Sequence, residues 1–138
     1  MSKTIKKEFV EFKKNHKNIY NNYFHILCGF ISTTFLLSII KEKSNILLFF
    51  YSLIVLLTIK NIPITLFISV ILYFLILITK TYQLKTKTTI ILFLVFYFLP
   101  DLSHYLTNEP TALNTNNLSI KNIIINIFYI LPFSVISL

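Results

Sequence analysis

Five apolar runs punctuate the chain, at Tyr23 to Ile40, Ile46 to Ile59, Ile62 to Thr79, Thr89 to Leu102 and Ile123 to Leu138. All five read as helices. Crossing a bilayer takes about 20 residues, with a range of about 17 to 25, so the first and third runs qualify and the second and fourth are short. The separators are Lys41-Glu42-Lys43-Ser44, Lys60-Asn61, Lys80 to Thr88 and the longer polar stretch Ser103 to Asn122. Flanking lysines can snorkel to the interface and lengthen a short span. Pro63 falls in the first turn of the third helix, where its missing N–H is harmless.

The first 22 residues follow a different pattern. They hold Lys3, Lys6, Lys7, Lys13, Lys14 and Lys17 and no apolar run, so they are neither a cleavable signal nor a span. Ile5, Phe9, Phe12, His16, Ile19 and Tyr23 recur at three- and four-residue spacing and form one stripe, with most of the lysines off it. This pattern predicts a basic amphipathic helix lying on the membrane surface. The expected architecture is therefore all-α: an interfacial helix over residues 1–22, then a polytopic membrane bundle of four to five apolar helices over residues 23–138. Those helices are expected at about 23–40, 46–59, 62–79, 89–102 and 123–138.

Composition narrows the class. Hydrophobic residues make up 55% of the 138 and charged residues 13%, about half the roughly 25% charge of a soluble domain, which marks a multi-pass integral membrane protein. A disulfide scaffold is excluded because Cys28 stands alone. The 13 lysines against 5 acids would have to sit on an apolar body, so they read as membrane topology and not as a nucleic-acid surface. Counted on alternate sides, eight lysines fall with the N-terminus and five opposite, which places the N-terminus in the cytoplasm. The corresponding membrane is the endoplasmic reticulum in a eukaryote and the inner membrane in a bacterium. No charged residue lies deep within a run, which disfavours a transporter or channel. Cys28 reads as a packing residue, and Gly29, the only glycine, as a point of close helix approach.

Histidine is scarce and therefore informative. His25 stands at the entrance of the first run, His104 just past the exit of the fourth, and His16 just before the first. If all four runs span, or if the second and third form a re-entrant hairpin, parity puts the three imidazoles on one face of the membrane. Nine residues separate His16 from His25, about 900° of helical rotation, so the two need a corner to converge. Asn21-Asn22 offers one, since Asn is a good N-cap. Asp101 lies three residues before His104 and shares its helical face; Asn108 and Glu109 follow before Pro110. Imidazoles with one carboxylate around an ion with open positions suit a non-haem Fe(II) oxygenase.

Two stretches carry a resemblance. HKNIYNNYFH, His16 to His25, resembles the first motif of the Mpo-type 2-hydroxy fatty acid dioxygenases, in which a His is followed five residues on by Asn and nine on by a second His, here His16, Asn21 and His25. SHYLTNEPTAL, Ser103 to Leu113, resembles that family's later motif of His, Glu and a Pro-Ala pair, with His104, Glu109 and Pro110 as counterparts. Gly29 comes four residues after His25 where the family has three, and Ala112 does not directly follow Pro110. The resemblance implies an Fe(II)-dependent dioxygenase that uses O2 to shorten a long-chain 2-hydroxy fatty acid by one carbon, in fatty acid alpha-oxidation. It implies His16, His25 and His104 as metal ligands and Glu109 as the catalytic carboxylate; Asp101, which shares the helical face of His104, is the alternative that spacing offers. Asn21, Lys13 and Lys17 are the expected substrate-binding residues, the lysines attracting the carboxylate or anionic membrane lipid. The competing expectation is a non-catalytic membrane scaffold or assembly subunit whose basic tail binds lipid or a partner.

Overall fold

A computed structural model describes residues 3–110 and 120–138, with side chains at 5–110 and 123–138. Ala112 and Leu113 of the second motif, and the side chain of Lys121, lie outside the described residues. The described residues form α1 (Lys3–Asn15), α2 (Ile19–Ser38), a 3-10 turn (Lys41–Lys43), α3 (Ser44–Ile59), α4 (Ile62–Thr81), α5 (Thr86–Thr107) and α6 (Ile120–Ile136), with no strand among them.

Three segments are long and apolar enough to cross a membrane: Lys41–Ile59, Ile62–Thr81 and Thr86–Thr107. The second and fourth runs are thus longer than their apolar residues alone indicate. The 3-10 turn extends one, and α5 continues through Ser103 to Thr107 and takes His104 inside the helix. The first run meets the length as α2, 20 residues or about 30 Å, but it is not among the three. The reason is its place. α2 is the axis of the bundle, packed against α5 above all and then α6 and α4, and its buried face carries Asn21, Asn22, His25, Ser32, Thr33, Thr34 and Ser38. Small polar side chains let helices approach closely and bond across or along them, at the expense of mean hydropathy.

The outer helices show the reverse distribution. α4 buries Thr65, Ile68, Leu72 and Ile76, one stripe at helical spacing, and exposes Leu66, Phe67, Val70 and Phe74. So extensive an apolar exterior is a liability in water and ordinary against lipid tails. A tight corner joins α3 to α4: Lys60 takes the left-handed conformation at φ 59°, and Asn61 caps α4 by accepting from the Ile64 N–H at 3.1 Å. Pro63 occupies the first turn of α4 as expected.

At Gly29 the axis helix meets α6. A Cβ there would lie 3.3 Å from the Leu131 Cβ, so the bare Cα is what permits the approach. Pro132 inside α6 lacks an N–H and leaves the carbonyl four residues back without its helical donor. That carbonyl, of Phe128, accepts instead from the Tyr51 hydroxyl at 3.3 Å, which ties α3 to α6.

Candidate metal centre

The stripe of α1 does not continue into α2. The helix ends at Asn15, and Asn18, extended at φ −78° and ψ 122°, caps α2 by accepting from the Tyr20 N–H at 2.9 Å. The corner expected at Asn21-Asn22 therefore lies at His16 to Asn18, and both of those asparagines sit inside the first turns of α2. Asn18 wins because capping from there sends Asn21 and Asn22 into the bundle, where they find partners. Ile5 and Phe12 of the stripe are buried and Phe9 packs beside them, while Ile19 and Tyr23, beyond the corner, are exposed. The apolar face of α1 rests on α6, with Phe9 and Phe12 ring centroids 5.3 and 5.8 Å from that of Phe133.

This corner delivers His16. Its Nδ1 lies 2.7 Å from the Phe12 carbonyl oxygen, an acceptor only, so Nδ1 carries the proton and Nε2 is bare when the ring is neutral. Phe12 also stacks on the imidazole at 3.7 Å between centroids. Burial pushes His16 from 6.5 down to about 4, more than the Phe12 bond and the Glu109 charge restore, so the ring is neutral at physiological pH.

The other two histidines arrive from α2 and α5. His25 Nε2 stands 3.1 Å from His16 Nε2 and 3.0 Å from His104 Nε2, and one ligand atom from each of the three residues lies within 4.8 Å of the others. The rings are 7%, 2% and 0% exposed for His16, His25 and His104, which seals the cluster from bulk water. Ligands at right angles around an ion about 2.1 Å away stand about 3 Å apart, and both Nε2 separations match that. Among the described residues no carboxylate joins this group.

Glu109 does something else. Asn108 is left-handed at φ 54° and closes α5, with the Glu109 N–H donating back to the His104 carbonyl at 3.0 Å, the arrangement of a Schellman cap. The turn aims Glu109 at the α1–α2 corner. There Oε1 accepts from the Lys17 and Asn18 N–H groups, both at 2.7 Å, and Oε2 accepts from Asn21 Nδ2 at 2.6 Å. Burial alone would raise this carboxyl, but the bonds from Asn21, Asn18 and Lys17 hold it below the ordinary value. The position also suits an anion, close to the positive end of the α2 dipole.

Asn21 is the hub. Besides Glu109, its Nδ2 donates to His104 Nδ1 at 3.1 Å, and its Oδ1 accepts from the Ser103 hydroxyl. Since Nδ1 of His104 accepts, Nε2 carries that ring's proton and donates to His25 Nε2. The Nε2 atoms of His16 and His25 then face each other as two lone pairs at 3.1 Å, an arrangement that a cation relieves. That is the fit of the site to a metal ion.

Of the residues singled out from sequence, His16, His25, His104, Asn21 and Glu109 thus come together, the first three as a possible ligand set. Asp101 stands half-buried one turn before His104, outside the ligand group. Lys13 and Lys17 are exposed, the Lys13 ammonium lying 5.2 Å from the centre of the Phe9 ring. Sequence reasoning missed Ser103 and Asn18. Asn18 had a readable signal, a capping residue directly before an apolar residue; Ser103 had none. The chain matches no model of a known family, no curated protein and no solved structure.

Proposed function

We propose that the chain is a membrane-embedded, Fe(II)-dependent dioxygenase that shortens 2-hydroxy fatty acids by one carbon. The observation that carries the reading is the convergence of three buried imidazoles, from the α1–α2 corner, α2 and α5, on one point. Neutral nitrogen donors of this kind suit iron as well as zinc, copper or nickel; the resemblance of the two motifs selects iron. Bound iron would supply the redox chemistry that brings dioxygen to bear on the hydroxy acid. The reaction balances as hydroxy acid and dioxygen giving the shortened acid, carbon dioxide and water, with no further reductant.

The chain's own residues would hold and shield. His16, His25 and His104 are the ligands, and the Phe12 carbonyl fixes the tautomer that leaves His16 Nε2 free. Using His104 Nε2 as a ligand would require the proton of that neutral ring to pass to Nδ1, so the bond that Asn21 Nδ2 donates there would have to rearrange when the ion enters. Asn21 and Glu109 keep the corner and the end of α5 in register. Lys13 and Lys17, exposed at the same end of the bundle, favour the approach of a carboxylate carried by a membrane-dissolved acyl chain.

The test is detergent-purified protein assayed with 2-hydroxypalmitate under air, with iron content measured on the same samples. The expected result is stoichiometric iron, a product one carbon shorter by mass spectrometry, and loss of both in His25→Ala. Iron-loaded wild type and His25→Ala giving equal background yields across several chain lengths would end the dioxygenase reading and favour a scaffold.

A further inference from the structure

Two buried side-chain atoms lack a hydrogen-bond partner among the described residues, Asn22 Oδ1 and His25 Nδ1. One is an acceptor. The other is a donor, because His25 Nε2 accepts from His104 Nε2 and the neutral ring must then carry its proton on Nδ1. The same tautomer is required when Nε2 ligates an ion, so the buried Nδ1–H is a property of both states. Leaving such a group unpaired forfeits its hydration with nothing in return.

Asn22 and His25 are three residues apart on α2 and share a face, with Cβ atoms about 5–6 Å apart. The orientation of the Asn22 amide is not free. Its Nδ2 donates to the Ser134 carbonyl of α6 at 3.2 Å; turning the amide over would set Oδ1 against that carbonyl and strand two acceptors. Oδ1 is therefore the atom left to accept, and among the described residues the other buried side-chain atom without a partner is His25 Nδ1, three residues along the same helix. The two atoms do not bond directly, and one buried water held between two such groups would satisfy both.

We infer that Asn22 is a positioning residue for His25: through one bridging water its Oδ1 accepts from His25 Nδ1–H and fixes the tautomer that presents Nε2 to the ion. The inference deepens the metal-centre reading and rests on it for its effect on binding. Outer partners of ligating histidines orient the ring and raise its basicity. Asn22 adds a further linkage: α6, through Ser134, sets the amide that sets the imidazole.

The experiment titrates Co(II), as a spectroscopic probe, into purified wild type, Asn22→Leu and Asn22→Asp, and reads the His25 tautomer by nitrogen NMR in metal-free wild type. Asn22→Leu removes the acceptor and is expected to weaken Co(II) about 10- to 100-fold. Asn22→Asp loses the tie to Ser134 but keeps an acceptor of the kind that commonly partners ligating histidines, and is expected to bind Co(II) at least about 10-fold more tightly than Asn22→Leu. A merely structural role, through Ser134, weakens both variants alike. The spectrum of wild type is expected to show His25 protonated at Nδ1 and bare at Nε2. Equal weakening of the two variants, no weakening in Asn22→Leu, or a proton on Nε2 of His25 would each overturn the inference. Wild type that binds no Co(II) would count against the metal-centre reading, and the Asn22 coupling would then be decided by the His25 Nδ1–H resonance of metal-free protein, expected to shift between wild type and Asn22→Leu and overturned if it does not.

Discussion

Asn21 carries more of the site than its size suggests, since one amide serves Glu109, His104 and Ser103 at once. Asn21→Ala takes the amide from the buried His104 Nδ1 and from the Glu109 carboxylate, while the Ser103 hydroxyl keeps the Pro100 carbonyl, and is expected to destabilise the fold by about 1–3 kcal/mol, read as a lowered midpoint of thermal unfolding in detergent. The histidines behave differently. His16→Ala or His25→Ala removes a nitrogen of the candidate metal centre and little apolar area, so the proposed metal is expected to be lost while helicity by circular dichroism is kept. Glu109 sets a pH signature. Its carboxyl is held below the ordinary 4.5, so the clamp is fully present above that value and is lost as pH falls through the depressed folded value. The difference in unfolding midpoint between wild type and Glu109→Gln should be constant above about pH 5 and close in stronger acid; a gap that does not depend on pH would show that the carboxylate charge is not what holds the corner.

Helix ends and helix crossings decide where those residues meet. Asn108 stops α5 in the left-handed region, where a Cβ-bearing residue other than Asn or Asp costs about 1–2 kcal/mol. Asn108→Gly is expected to be tolerated and Asn108→Ala to lower stability by about 1 kcal/mol, with the corner loosened, measurable as faster amide exchange at Lys17 and Asn18. Gly29→Leu drives a branched side chain into Leu131 and should part α2 from α6, lowering yield of folded protein more than the same change on the lipid-facing side of α4. Much of this level was legible in the sequence. Apolar runs located the helices to within a few residues at most ends, Pro63 marked the start of α4, and the lone glycine marked a close crossing. The corner was misplaced because two capping signals, Asn18 and Asn21-Asn22, compete within four residues and only the packing of α2 decides between them. The carboxylates were no more readable: spacing put Asp101 on the face of His104, but nothing local says that a left-handed Asn108 turns Glu109 onto backbone N–H groups.

On the scale of the whole molecule, the start of α2 and the end of α5 occupy one end of the bundle, as the bonds from Lys17 and Asn18 to Glu109 require. The end of α2 and the end of α4 occupy the other, tied by Ser38 and Thr79 at 3.0 Å. Parity of the hydrophobic runs anticipated this grouping of His16, His25 and His104, which is why three residues far apart in sequence could be read as one site. It follows that Lys14 and Asn108 should share a side of the membrane and Lys85 should lie opposite. Single cysteines at those positions, in a Cys28→Ser background, tested with an impermeant thiol reagent on sealed vesicles, check this; Lys14 and Asn108 labelled from different sides would remove the common end. The lysine count leads one to expect a cytoplasmic common side, and the same reagent applied to intact cells tests that orientation directly.

The polar inner face of α2 has a consequence for biosynthesis. This helix leaves the ribosome ahead of α4, α5 and α6, yet Asn21, Asn22 and Ser38 find their partners on Ser103 and Glu109, on Ser134 and on Thr79. His25 emerges 79 residues before His104. Until the later helices arrive, α2 offers lipid a row of amides, hydroxyls and an imidazole, so its settling into the bundle waits on chain completion. A chain truncated before Ser103 retains two of the three histidines and has no site to load.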